Sequence, residues 1–130
     1  MKSSPVLAGF LFFGGAAFSA IADRVSFQGS DLDKRTTYRF ELRTPKPPAL
    51  YKVSGDELEL LTDSFDCEQE KLGQRCEPRE RVRLSGYVYP DFELYEVKYN
   101  NKEVSLVGLS GHSGPQVFAR LRKRSVAKNR

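Results

Sequence analysis

Tyr38-Arg39-Phe40-Glu41-Leu42-Arg43 decides the fold class. Two aromatic rings and a leucine alternate with charge, the two-residue period of a strand with one face buried and one in water. The same period recurs outward from this stretch. Pro45-Lys46-Pro47-Pro48 removes backbone donors and ends the strand. Leu50 to Val53 and Glu57 to Leu61 flank Ser54-Gly55-Asp56, a hairpin signal. Arg81 to Tyr89 alternates again until Pro90-Asp91 breaks the run. Glu93 to Tyr99 is expected to set Tyr95, Val97 and Tyr99 on one face and Leu94, Glu96 and Lys98 on the other. Asn100-Asn101 supplies a turn, since asparagine tolerates positive φ, and Val104 to Leu109 is the returning strand. Ser110 to Pro115 reads as a loop and Gln116 to Arg122 as the last strand. No window sustains apolar residues at helical spacing; only Ser30-Asp31-Leu32-Asp33 reads as the start of a short helical turn. The expectation is an all-β chain, an antiparallel β-sandwich or small β-barrel of about seven strands.

The first residues speak to compartment. Met1-Lys2 gives a positive start, Val6 to Phe18 is apolar apart from glycines, and Ser19-Ala20-Ile21-Ala22 offers the small residues a signal peptidase reads. This reads as a cleaved secretory signal over residues 1–22, with Asp23 as the mature N-terminus. A membrane anchor is the competing reading, but a spanning helix needs roughly 20 apolar residues and this run is shorter and carries Gly9, Gly14 and Gly15. No Cys follows it to accept a lipid. Removing 22 of the 130 residues leaves 108, which suits one domain over residues 23–122 followed by a basic tail at 123–130. No transmembrane segment is expected after cleavage.

Cysteine usage agrees with export. Cys67 and Cys76 are the only two, and in an oxidising compartment an even pair reads as one intrachain disulfide. The enclosed Glu68 to Arg75 is polar with one glycine, so the bond is expected to tie off a surface loop. A redox pair would more often be spaced C-x-x-C at a helix start.

Charge is uneven along the chain. From Asp23 to Ala119 there are 14 basic and 17 acidic residues, whereas Arg120 to Arg130 holds six basic residues and no acid. The high isoelectric point therefore belongs to the tail. Arg122, Lys123 and Arg124 are its candidate contacts with an anionic surface, set against the reading of a solvated terminus. Export argues against nucleic acid as a partner.

Chemistry-bearing patterns are sparse. His112 is the only histidine, so any triad or histidine-based acid-base pair must use it. It sits in Ser110-Gly111-His112-Ser113-Gly114-Pro115, which lacks the G-x-S-x-G spacing of a nucleophile elbow, and triads are normally assembled from distant segments. A zinc site on Cys67 and Cys76 would need two further ligands, and the chain has one histidine. Glu57 and Glu59 at i and i+2 match a glycosidase pair no better than a solvated strand face. Asp63, Asp66, Glu68 and Glu70 cluster near the cysteines without the D-x-D-x-D-G spacing of a calcium loop. Without tryptophan, sugar stacking would fall to Tyr87, Tyr89, Tyr95 and Tyr99, which serve equally as core or cross-strand partners. The expectation is no catalysis and no cofactor or metal.

Ser110-Gly111-His112-Ser113-Gly114, followed by Phe118, resembles in composition and place the Ser-Gly-rich loop of small exported β-barrels that inhibit lysozyme. That family's S-G-S-G-x-x-Y pattern is altered here by the inserted His112, by Pro115 and by the missing tyrosine, over fewer than ten residues. The resemblance implies a loop that enters an enzyme's cleft. Two readings follow: an exported, periplasmic or secreted binding protein acting by occlusion through Ser110, His112 and Ser113, and an envelope protein holding anionic lipid or polysaccharide through its tail. The first partner is another envelope protein, such as an enzyme to be inhibited.

Overall fold

The computed structural model describes residues 24–124; the signal expected over residues 1–22, Asp23, and residues 125–130 lie outside the described residues. Nine strands form: β1 (Arg24–Ser30), β2 (Thr37–Arg43), β3 (Lys46–Ser54), β4 (Glu57–Thr62), β5 (Phe65–Glu70), β6 (Gly73–Pro78), β7 (Glu93–Tyr99), β8 (Glu103–Ser110) and β9 (Ser113–Lys123). All pair antiparallel in one sheet of order β4-β3-β2-β1-β9-β8-β7-β6-β5. Each strand therefore lies beside its neighbour in sequence, the first and last strands meet in the middle, and the sheet stays open between β4 and β5. Phe40 on β2 packs against Tyr99 on β7 at 5.3 Å and against Phe65 on β5 at 6.0 Å. Strands far apart in the sheet touch across its interior because the sheet curls into a half-barrel.

The all-β antiparallel expectation holds, and the strand count changes from about seven to nine. Arg24–Ser30 is a strand that the sequence reading passed over: Val25 and Phe27 alternate with polar residues, and β1 pairs along its whole length with β2. The disulfide segment is not a loop but a hairpin, in which Cys67 stands opposite Cys76 and the 2.05 Å bond links β5 to β6 directly. Its polar composition reflects exposure on an outer hairpin, while Cys76 itself is buried. Conversely, the alternation in Arg81 to Tyr89 does not make a strand; only Arg83 forms an isolated bridge, to Glu93. Ser30 to Asp33 makes a turn instead of a helix. In β7 a bulge between Leu94 and Glu96 breaks the simple alternation. Leu94, Glu96 and Val97 are buried in consequence, and Tyr95 faces solvent.

A half-barrel of this curvature leaves an interior that strand side chains alone do not fill. The segment between β6 and β7 enters it. Val82, Leu84 and Phe92 join Phe27, Phe40, Leu50, Leu106 and Leu121 in one core, with Tyr87 and Tyr89 packed against it. Backbone hydrogen bonds hold the segment in place: Arg79 N–H to the Ser64 carbonyl at 2.9 Å, Leu84 N–H to that of Phe92 at 3.0 Å, and Leu94 N–H to that of Val82 at 2.9 Å. Gly108 on β8 makes room for it, since a Cβ there would run into the Phe92 ring. Gly108→Ala should therefore lose about 1–3 kcal/mol in urea unfolding through overpacking, and Phe92→Leu in the same chain should recover part of it. A neutral Gly108→Ala would show that the ring can move aside.

The disulfide gives a second test. Replacing both Cys67 and Cys76 with Ser should cost about 2.5–3 kcal/mol by the loop-entropy model, measured by denaturant unfolding. Labelling of both thiols by an alkylating agent in the native, unreduced protein would contradict the bond.

Candidate binding site at one end of the half-barrel

Three pieces of chain meet where β1 ends: the turn Asp31 to Thr36, the end of the inserted segment from Tyr87 to Phe92, and the tip of the β8–β9 hairpin. Asp31 organises the first two. It is almost fully buried, and its carboxylate is satisfied by three donors. Oδ1 accepts the N–H groups of Arg35 at 2.8 Å and Thr36 at 3.4 Å, and Oδ2 accepts the Tyr87 hydroxyl at 3.0 Å. The Tyr87 oxygen also lies 3.5 Å from that of Tyr38. Tyr87, Phe92 and Phe118 pack their rings at 4.6 to 5.6 Å, which fixes the segment against β9.

The hairpin tip is tighter than the loop expected from the sequence. Ser110 ends β8, Ser113 starts β9, and only Gly111 and His112 lie between them. Short connections of this kind favour residues that turn the chain easily, and Gly111 supplies one. The candidate residues separate accordingly. Ser110 is 6% exposed, so it holds the turn and does not protrude. Its Oγ accepts the His112 N–H at 3.1 Å and lies 3.3 Å from the Ser113 Oγ. Ser113 is half-buried. The His112 side chain is the part that stands out, 64% exposed.

Two residues that the sequence reading left unassigned to a site complete the tip. Asp91 Oδ2 accepts the Gly111 N–H at 2.8 Å, and its Oδ1 lies 3.9 Å from the His112 Nδ1. Tyr89 stacks on the imidazole with centroids 5.0 Å apart and planes 8° from parallel. The only local signal was Pro90, which breaks the alternating run between Tyr89 and Asp91, and it does not point to His112. Beside the stacked pair runs a groove of about 230 Å³. Phe92 and Phe118 form its floor, Tyr89 and Val117 its walls, and Leu32 and Val88 its rim, exposed to 63% and 89%.

The remaining sequence candidates lie elsewhere. Arg122, Lys123 and Arg124 are exposed at the far end of β9, where Arg122 pairs in register with Gln28 and the Arg124 N–H donates to the Ser26 carbonyl at 2.8 Å. The acidic cluster near the cysteines is matched by guanidinium groups. Arg75 reaches Glu68, Glu77, Glu70 at 2.9 Å and Glu96 at 3.6 Å, and these hydrogen bonds, led by the one to Glu68, raise its already high basicity. Asp66 pairs with Arg79 at 2.7 Å and Asp63 with Arg43 at 3.9 Å. Glu57 and Glu59 are exposed on the edge strand β4. No protein-family model, no curated protein and no solved structure matches this chain.

Burial, first of all, raises the Tyr38 and Tyr87 phenols above the ordinary 10.0, and for Tyr87 the contacts with Tyr38 and Asp31 add to it. A raised folded-state value means that the neutral phenol is the form the fold accommodates. Its contribution to stability is whole below pH 10 and is lost as pH climbs towards the raised values. In an alkaline titration followed by phenolate absorbance, these two tyrosines should ionise late, together with unfolding. Tyr87→Phe should remove one late phenol and lower stability at neutral pH by about 1 kcal/mol. A titration in which all six tyrosines ionise near the ordinary value would contradict the arrangement.

Proposed function

We propose that this protein is an exported binding protein that acts by occlusion, presenting the β8–β9 tip and the adjoining groove to the cleft of an envelope-acting enzyme. The observation that carries this reading is the exposed His112 ring, braced by Tyr89 and Asp91, beside an open groove whose rim sets the exposed Leu32 and Val88 among Asp33 and Gln116. A tight hairpin on a rigid sheet loses little freedom on binding, which favours affinity. Apolar rim residues and a stacked ring offer desolvated anchors of the kind that concentrate binding energy. Neither feature requires a reacting group. A periplasmic or secreted location belongs to the same proposal. The Cys67–Cys76 bond suits an oxidising compartment, and no helix among the described residues is long and apolar enough to cross a membrane.

The resemblance to exported lysozyme inhibitors makes peptidoglycan hydrolases the first enzymes to assay. The purified protein should inhibit one of them in a cell-wall clearing assay. His112→Ala with Ser113→Ala should weaken that inhibition at least about tenfold, roughly 1.4 kcal/mol, while the thermal midpoint stays almost unchanged. Unchanged inhibition would move the site away from the hairpin, and a large fall in the midpoint would make these residues structural. Truncation after Arg124 should leave occlusion intact.

One observation supports a second reading, a protein that holds anionic lipid or polysaccharide through its basic end. The exposed Arg122 lies in register with Gln28, whose side chain accepts from Arg39 Nε at 2.8 Å, so two arginines flank a neutral glutamine beside the basic end of β9. On that reading the same truncation weakens binding to anionic vesicles.

A further inference from the structure

The β4 edge of the sheet has an asymmetry that the hairpin site does not use. Strand β4 closes the sheet on one side, and its outer edge has no strand partner among the described residues. Its two faces differ. Leu58 and Leu60 pair with Val53 and Tyr51 and stay 40% and 49% exposed, an apolar stripe on one face. Glu57 and Glu59 alternate with them on the other face, where Glu59 lines a shallow groove with Lys52 and Arg83. Neither glutamate makes an ion pair within 4.0 Å among the described residues. Asp56 to Glu70 contains seven acidic residues and no lysine or arginine.

We propose that the β4 edge accepts an extended cationic segment of a partner protein as an added antiparallel strand. Backbone hydrogen bonding to the free edge would supply affinity, and alternate side chains would supply selection. Basic residues of the added strand meet Glu57 and Glu59, and the apolar residues between them extend the Leu58 and Leu60 stripe. Charge weighs against the β4 edge of a second copy as the occupant. Antiparallel self-pairing about Leu58 sets Glu57 opposite Glu59, and pairing about Glu59 sets that residue opposite itself, where like charges are unfavourable; pairing about Leu60 leaves only one leucine opposite its own copy. Glu57 and Glu59 are the charged residues that guard this edge against its own kind, and lysine and proline, which would also repel or block a cationic strand, are absent from Glu57–Thr62.

The test uses the full mature chain and a capped peptide of alternating Lys and Val, followed by fluorescence anisotropy and by hydrogen exchange. The peptide should bind and should slow exchange at the β4 amides. A peptide of alternating Glu and Val should not bind. Methylating alternate backbone nitrogens of the Lys-Val peptide keeps its charge but blocks strand pairing, and should weaken binding at least about tenfold. Glu57→Gln with Glu59→Gln, which preserves shape, should weaken it to a similar degree. If the methylated peptide binds as well as the parent, the interaction is diffuse charge and the proposal is wrong. Protection of β4 through self-association in sedimentation, without peptide, would overturn it in favour of a second copy. These outcomes do not involve His112, so failure here leaves the occlusion reading standing.

Discussion

The packing of the Phe92 ring over Gly108 is the constraint on which the rest of the molecule depends. A sheet whose two edges do not meet cannot fill its own interior, and exposed aromatic and leucine side chains on the concave face would leave the chain marginal. The inserted segment from Arg79 to Phe92 removes that difficulty, but only if it lies flat against β8. Gly108 permits the close approach, and Phe92 then brings Tyr87 against Phe118 and within reach of Asp31. A buried carboxylate without donors would be costly, so the three hydrogen bonds to Asp31 fix the segment's position as firmly as its apolar contacts do.

Strand periodicity made most of this sheet legible. Tyr38 to Arg43, the Ser54-Gly55-Asp56 turn and the Asn100-Asn101 turn fall where alternation and turn chemistry place them. What the period could not distinguish was a strand from an extended segment folded into a barrel. Arg81 to Leu84 alternates because Val82 and Leu84 are buried and Arg81 and Arg83 are not, whatever the backbone pairs with. The β5–β6 hairpin escaped notice for the opposite reason. Nearly every residue on it is polar, since it hangs outside the core and is held by the disulfide and by Arg75 among its glutamates.

The candidate site was half visible for a related reason. The sequence singled out Ser110, His112 and Ser113 by their place in a Gly-rich connection, and the fold divides them between turn-holding and presentation. Their partners Tyr89 and Asp91 lie some twenty positions away, so no local pattern joins them to His112. Only the inserted segment does, by delivering Tyr89 under the imidazole and Asp91 to the Gly111 amide. The histidine that looked like a flexible loop residue is therefore held on two sides.

Charge is sorted by strand in the same way. Acidic residues occupy β4 and β5, the two strands at the open edges, and basic residues gather at the exposed end of β9, near the middle of the sheet. The acids of β5 are matched locally by Arg75 and Arg79, whereas Glu57 and Glu59 on β4 and the basic end of β9 lie on separate surfaces. For a single folded body this arrangement contributes little, because exposed pairs are worth little and distant ones are screened. It bears on association, where an acidic edge favours a cationic segment over a like-charged one. On the strand-acceptor proposal, the charge that favours a cationic strand at β4 is the same charge that disfavours pairing glutamate with glutamate there.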